Sequence, residues 1–215
     1  KRNLTYNLKR FYRVRDGQGI IEWQDVVKLG ALAIAGLAII ESPFSAGWST
    51  ELTEIRKTID SLWSESGAFR TFLHPADRND NQNFYPGEAL VFWATSLSKS
   101  MDEQLLKRTL RSVDYYREHF RRQPNPAFVP WHSQAVTTLF RLTGNVSLRE
   151  YVFEMNDWIL PHQQWSDGLD PDYIGRFYTP EEPSYGPPHA SATGVYLEGL
   201  VDALDLAIEA GETSR

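Results

Sequence analysis

Apolar residues recur along this chain at helical spacing, and polar, Gly- and Pro-rich stretches separate the periodic segments. The most apolar run, 26–40, is interrupted by Lys28, ends at Glu41 and is filled with small residues: Gly30, Ala31, Ala33, Ala35, Gly36 and Ala38. It is shorter than the roughly 20 residues of a membrane span and predicts a helix over 26–41 that neighbours pack on all sides. Asp25 is its expected N-cap and Pro43 its stop. Further helices are predicted over 51–64 (capped by Ser49 or Thr50), 86–98, 102–120, 130–142, 147–161 and 190–209. Pro86 and Pro130 suit first helical positions, and Gly67, Gly144 and Gly211 suit helix ends. In 102–120 the stripe Leu105, Leu106, Leu110, Val113, Tyr116 lies opposite Lys107, Arg108, Arg111 and Arg117.

Before the first apolar helix, Leu4–Val14 is a basic amphipathic segment, Asp16–Gly19 a turn and Ile20–Trp23 a short extended piece. Two polar loops, 68–84 and 162–188, interrupt the helices, with Arg70–Phe72 expected to be extended. Segments 26–41, 86–98, 130–142 and 190–209 open on small or apolar residues, whereas 51–64, 102–120 and 147–161 are more charged. That alternation predicts inner and outer helices of an all-α array of helical hairpins, an (α/α) toroid. The 215 residues are read as a single domain, 1–215. They supply too few hairpins for a closed ring, which predicts an incomplete or truncated toroid, completed by missing helices of the same polypeptide or by a partner domain.

Composition narrows the chemistry. The net charge of −6 gives no broad basic face, which argues against a nucleic-acid partner. The absence of Cys excludes disulfides, thiolate chemistry and Cys-ligated metals, and suits a cytoplasmic location. No signal peptide or membrane span is visible. The histidines show no i, i+4 pair and no His-Glu-x-x-His pattern, so neither a metal nor another cofactor is expected. Seven Trp and ten Tyr are many for this length, and large aromatics fill cores or line binding clefts.

Three predicted inner helices share one N-terminal design: Tyr85-Pro86-Gly87-Glu88, Pro130-Trp131-His132-Ser133 and Pro187-Pro188-His189-Ala190. In parallel inner helices these starts lie at one end, and the long loops add Arg70, Asn83, Asp167 and Tyr178 there. A carboxylate, imidazoles, an Arg and aromatic faces suit sugar chemistry, in which an acid and a base protonate a glycosidic oxygen and activate water. Glu88 and His132 are therefore the candidate catalytic groups. Arg70, Asn83, Tyr85, Trp131, Tyr178 and His189 are the candidate substrate-binding residues. Structural roles compete at each position: the helix dipole alone favours Glu88 near a helix start, and His132 beside Trp131 suits a hydrogen-bonded wall residue.

Several blocks carry a resemblance. Asp16-Gly17-Gln18-Gly19-Ile20-Ile21-Glu22-Trp23, Gly67-Ala68-Phe69-Arg70-Thr71-Phe72, Asn83-Phe84-Tyr85-Pro86-Gly87-Glu88-Ala89-Leu90, Asn156-Asp157-Trp158-Ile159-Leu160 and His189-Ala190-Ser191-Ala192-Thr193-Gly194 resemble the six-hairpin (α/α) toroid, glycosidase-like superfamily. They are most similar to a largely uncharacterised bacterial group with the Tyr-Pro-Gly-Glu-Ala-Leu block. The resemblance spans about Phe11 to Gly211. It implies an (α/α) barrel and kinship with glycoside hydrolases, polysaccharide lyases and sugar epimerases, without a demonstrated reaction. The motifs of unsaturated-glucuronyl hydrolases and N-acylglucosamine epimerases are not found, so none of their catalytic residues is carried over. The expectation is a carbohydrate-active, glycoside-hydrolase-like enzyme acting on a glycan or oligosaccharide at the inner-helix N-termini. The alternative is a non-catalytic toroid that binds a glycan, a peptide or a partner domain.

Overall fold

The computed structural model describes residues 2–165, 170–187 and 189–212. Among them the chain is mostly helical, with eight α-helices and one small antiparallel sheet. It forms two compact units, Lys1–Glu118 and His119–Arg215. The sequence expectations for Asp167 and Pro188 fall outside the described residues.

The first unit opens with α1 (Arg2–Phe11), followed by β1 (Tyr12–Arg15), β2 (Gln18–Trp23) and β3 (Val26–Lys28). Then come α2 (Leu29–Ile40), α3 (Ser49–Leu62), β4 (Phe72–His74), α4 (Tyr85–Lys99) and α5 (Glu103–Arg122), whose last turn lies past the unit boundary. The strands form a meander in the order β1-β2-β3-β4. Two-residue turns join the first three. Arg15 pairs with Gln18 across Asp16-Gly17, and Trp23 with Val26 across Gln24-Asp25. All four turn residues have positive φ (50°, 73°, 51° and 60°), as a type I′ hairpin requires.

The sheet departs from an all-helical architecture, and it corrects one boundary. Asp25 is a turn residue rather than the cap of α2, and Val26–Lys28 are strand. Helix α2 begins at Leu29, whose N–H donates to Thr71 O (2.9 Å). β-branched Val26 and Val27 favour the pleated strand, and only from Leu29 does the small-residue run continue as helix.

Those small residues make the seat for α4. A Cβ on Gly36 would overlap the Phe92 ring, and one on Gly30 would overlap Oε2 of Glu88 and stand 2.6 Å from Tyr85 Cδ1. The earlier glycine meets the earlier part of α4 and the later glycine the later part, so α2 and α4 run parallel, with their N-termini at one end. On the other flank, β2 lies against α3: Thr58 Oγ1 donates to Gly19 O (2.8 Å), and a Cβ on Gly19 would stand 2.8 Å from Glu54 Cβ.

The 68–84 loop is bound to this frame. The Tyr116 hydroxyl accepts from Phe69 N–H (2.9 Å) and donates to Gln82 Oε1 (3.0 Å). Gln82 Nε2 in turn donates to Phe69 O (3.1 Å) and Asn79 Oδ1 (3.0 Å), and Asn79 Oδ1 accepts from Thr71 N–H (3.0 Å).

The second unit contains α6 (Val129–Thr143), α7 (Val146–Ile159) and α8 (Ala190–Ala210). Helix α6 ends at Gly144 (φ 67°) and α8 at Gly211 (φ 71°), both in the left-handed conformation that glycine adopts without cost. Asn145 caps α7, its side chain accepting from Ser147 N–H. Helix α8 lies close against α6, because a Cβ on Gly199 would stand 3.1 Å from Pro130 Cα. Gln134 Nε2 donates to Glu198 (3.2 Å), and Arg141 pairs with Glu209 (2.9 Å) further along, so α6 and α8 also run parallel. Asn156 ties α7 to α6 through Ser133 Oγ (2.7 Å).

Candidate functional site

Of the residues singled out from the sequence, Arg70, Asn83, Tyr85 and Glu88 belong to the first unit. Trp131, His132, Tyr178 and His189 belong to the second.

Glu88 occupies the first turn of α4, after the buried pair Pro86-Gly87. Its carboxyl lies in the hollow left by Gly30, with the Tyr85 ring beside it. Tyr85 packs edge-on against Phe72 of β4 (5.8 Å between centroids). Among the described residues the Glu88 side chain makes no hydrogen bond and no ion pair. Burial without a compensating cation pushes its pKa from 4.5 up to about 7. The start of a helix favours a carboxylate, so here desolvation outweighs the dipole. A carboxyl that keeps a substantial protonated fraction at neutral pH, makes no hydrogen bond or ion pair among the described residues and is only partly covered has the properties of a general acid.

Arg70 is exposed and Asn83 half-buried. The structure thus brings Tyr85 and Glu88 together over Gly30. Sequence reading missed another feature of this unit: a groove of about 320 Å³ lined by Glu22, Trp23, Lys28, Ala31 and Arg78 among others. It reaches α2 at Ala31, next in sequence to Gly30. Trp23 presents an exposed ring there, held edge-on to Phe11 (5.6 Å) with the Arg10 guanidinium 5.4 Å from its centroid. The Arg78 guanidinium lies 4.0 Å from the Phe72 ring and is gripped in two-pronged fashion by Asp80 (2.9 and 2.7 Å). The available signal was an aromatic at a strand end flanked by polar turn residues, which by itself does not distinguish a groove wall from a packed residue.

In the second unit His132 is fully buried. Its Nδ1 is 2.9 Å from Phe128 O, one turn back, and its ring stacks on Phe128 at 3.4 Å with the planes 7° apart. Burial pushes its pKa down to about 3, so the imidazole is neutral at ordinary pH. These are the surroundings of a wall residue, out of reach of a substrate. Trp131 beside it is half-buried. His189 is exposed at the N-cap of α8, where its side chain makes no capping bond. Tyr178 is half-buried against Tyr173 (5.8 Å), and its N–H donates to His162 O (3.0 Å). His162 accompanies Trp158 and Tyr185 in an aromatic cluster and lies 2.8 Å from Thr179 Oγ1 through Nδ1.

Among the described residues no cluster of His, Asp or Glu could hold a metal ion, and no helix is long and apolar enough to cross a membrane. Comparison with protein-family models, with curated proteins and with solved structures finds no match.

Proposed function

We propose that this chain is part of a carbohydrate-active, glycoside-hydrolase-like protein of helical-hairpin, (α/α)-toroid type, with Glu88 as its proton donor. The single observation that carries the reading is the Glu88 carboxyl: half-buried at a helix start, without a hydrogen bond or ion pair among the described residues, and with a pKa raised to about 7. A carboxylic acid held protonated near neutrality can protonate a glycosidic oxygen as the bond to the sugar carbon breaks. Tyr85 beside it offers an aromatic face of the kind on which sugar rings stack. The parallel pairs α2/α4 and α6/α8, each with another helix between its members in sequence, are consistent with inner helices of such an array.

The test is a screen of oligosaccharides with product analysis by mass spectrometry, run in parallel on Glu88→Gln. The expected outcome is a cleaved product whose turnover falls by about 100-fold or more in the variant, with the helical circular dichroism unchanged. Full turnover by Glu88→Gln ends the assignment.

A second reading, glycan binding without turnover, is favoured by the burial of His132, which withdraws the expected imidazole partner from any substrate. It predicts saturable binding to the wild type and to Glu88→Gln alike, and no product from either.

A further inference from the structure

Helix α8 has three longitudinal sectors. Tyr196, Gly199, Ala203, Leu206 and Ala207 are buried. Roughly opposite them run Leu197, Val201, Leu204 and Ile208, which are 44, 55, 54 and 69% exposed. Their spacing of four, three and four residues is that of the seam of a two-stranded coiled coil. Glu198 and Asp205 follow seam positions and flank that seam on one side. On its other side Leu200 and Ala207 face α7 across an apolar groove of about 240 Å³ lined also by Phe153 and Leu160. A helix with a second apolar sector of this size marks an interaction surface.

Charge identifies the occupant. Helix α8 carries four acidic residues and no Lys or Arg. Residues 119–215 hold six Lys and Arg against thirteen Asp and Glu, whereas residues 1–118 hold sixteen against fifteen. A second copy of α8 packed antiparallel would set Glu198 and Asp205 against acidic residues, and packed parallel would set them against Leu200 and Ala207. Asp205 makes no ion pair among the described residues. We infer that the Leu197–Ile208 stripe of α8 docks an amphipathic helix of a partner polypeptide, one with an apolar 4-3-4 seam and Lys or Arg at the flanking positions.

The probe is a synthetic helical peptide with Leu at the seam and Lys at the flanks, titrated against the whole chain. A peptide of equal seam with Glu at the flanks is the control. The expected result is saturable binding of the Lys peptide, about tenfold or more weaker binding of the Glu peptide, and loss of binding in Val201→Glu/Leu204→Glu. Both replaced side chains are exposed, so the variant should keep the native circular dichroism and melting temperature. Failure of the Lys peptide to bind, equal binding of the two peptides, or undiminished binding by the variant overturns the inference. So does sedimentation showing a dimer of the chain that the same double substitution dissolves, because the stripe then belongs to a second copy.

Discussion

A missing methyl group at position 30 decides where the Glu88 carboxyl sits. Glycine to alanine in a helix interior is ordinarily stabilising by up to about 1 kcal/mol. Gly30→Ala should reverse that sign, because the new Cβ overlaps Oε2 of Glu88 and crowds Tyr85. A loss of about 1–3 kcal/mol in urea unfolding is expected. Glu88→Ala in the same chain should recover part of it, a coupling read directly from a double-mutant cycle.

The same carboxyl sets a pH dependence. Its pKa is raised on folding, so the folded chain binds the proton more tightly than the unfolded one between pH 4.5 and about 7. Stability from this group is present below pH 4.5 and is lost as pH rises through 7, by an amount on the order of 3 kcal/mol at most. His132 works in the opposite sense: its folded pKa is depressed to about 3, so stability is lost as pH falls from 6.5 toward 3. Between pH 4.5 and 6.5 the two contributions oppose each other, so each is read from a difference: Glu88→Gln should gain stability relative to the wild type as pH rises from 4.5 to 7, and His132→Leu should gain relative to it as pH falls from 6.5 to 3. A Glu88→Gln chain whose stability curve runs parallel to that of the wild type from pH 4.5 to 7 would contradict the burial assigned to this side chain.

At the scale of elements, the helices were legible because their period and their stops agree. Pro86 and Pro130 lie in the first turns of α4 and α6, and Gly144 and Gly211 close α6 and α8 as their left-handed φ requires. The sheet was not. Its strands are three to six residues long, and β1 lies inside a basic segment whose spacing also suits a helix. The turn at Gln24-Asp25 has positive φ at two residues that are not glycine, so no glycine announced it. Of the candidate site, Glu88 could be read from its place after Tyr85-Pro86-Gly87. The hollow that receives it belongs to Gly30 on another helix, and local pattern does not report such a pairing. His132 illustrates the reverse: its residue type suggested chemistry, and only its burial revealed the stack on Phe128. The Gln82 clamp was equally invisible. Gln82→Ala removes bonds to Phe69 O, Asn79 and the Tyr116 hydroxyl, the first and last of them part-buried. A loss of about 2–3 kcal/mol is expected, with faster amide exchange at Phe69 and Thr71.

For the whole molecule, the division of charge matters more than the net value. The docking inferred for α8 rests on the excess of carboxylates in residues 119–215, a charge that favours encounter with a cationic helix over a second copy. Affinity for the Lys-flanked peptide should therefore fall with added salt over the range in which the Debye length shrinks from about 10 to 3 Å. The residual affinity at high salt measures the apolar seam alone. Insensitivity to salt would remove charge from the account of α8 and leave only its leucines.

The hydrogen bonds that pin the 68–84 segment bear on kinetics as well as on stability. Gln82, Asn79 and Tyr116 are already bonded to one another and to the backbone, so the segment before α4 is held in place without a ligand. The glycan binding proposed beside Glu88 therefore predicts one-step capture, with an observed rate that climbs in proportion to ligand concentration and without the ceiling that a slow opening would impose.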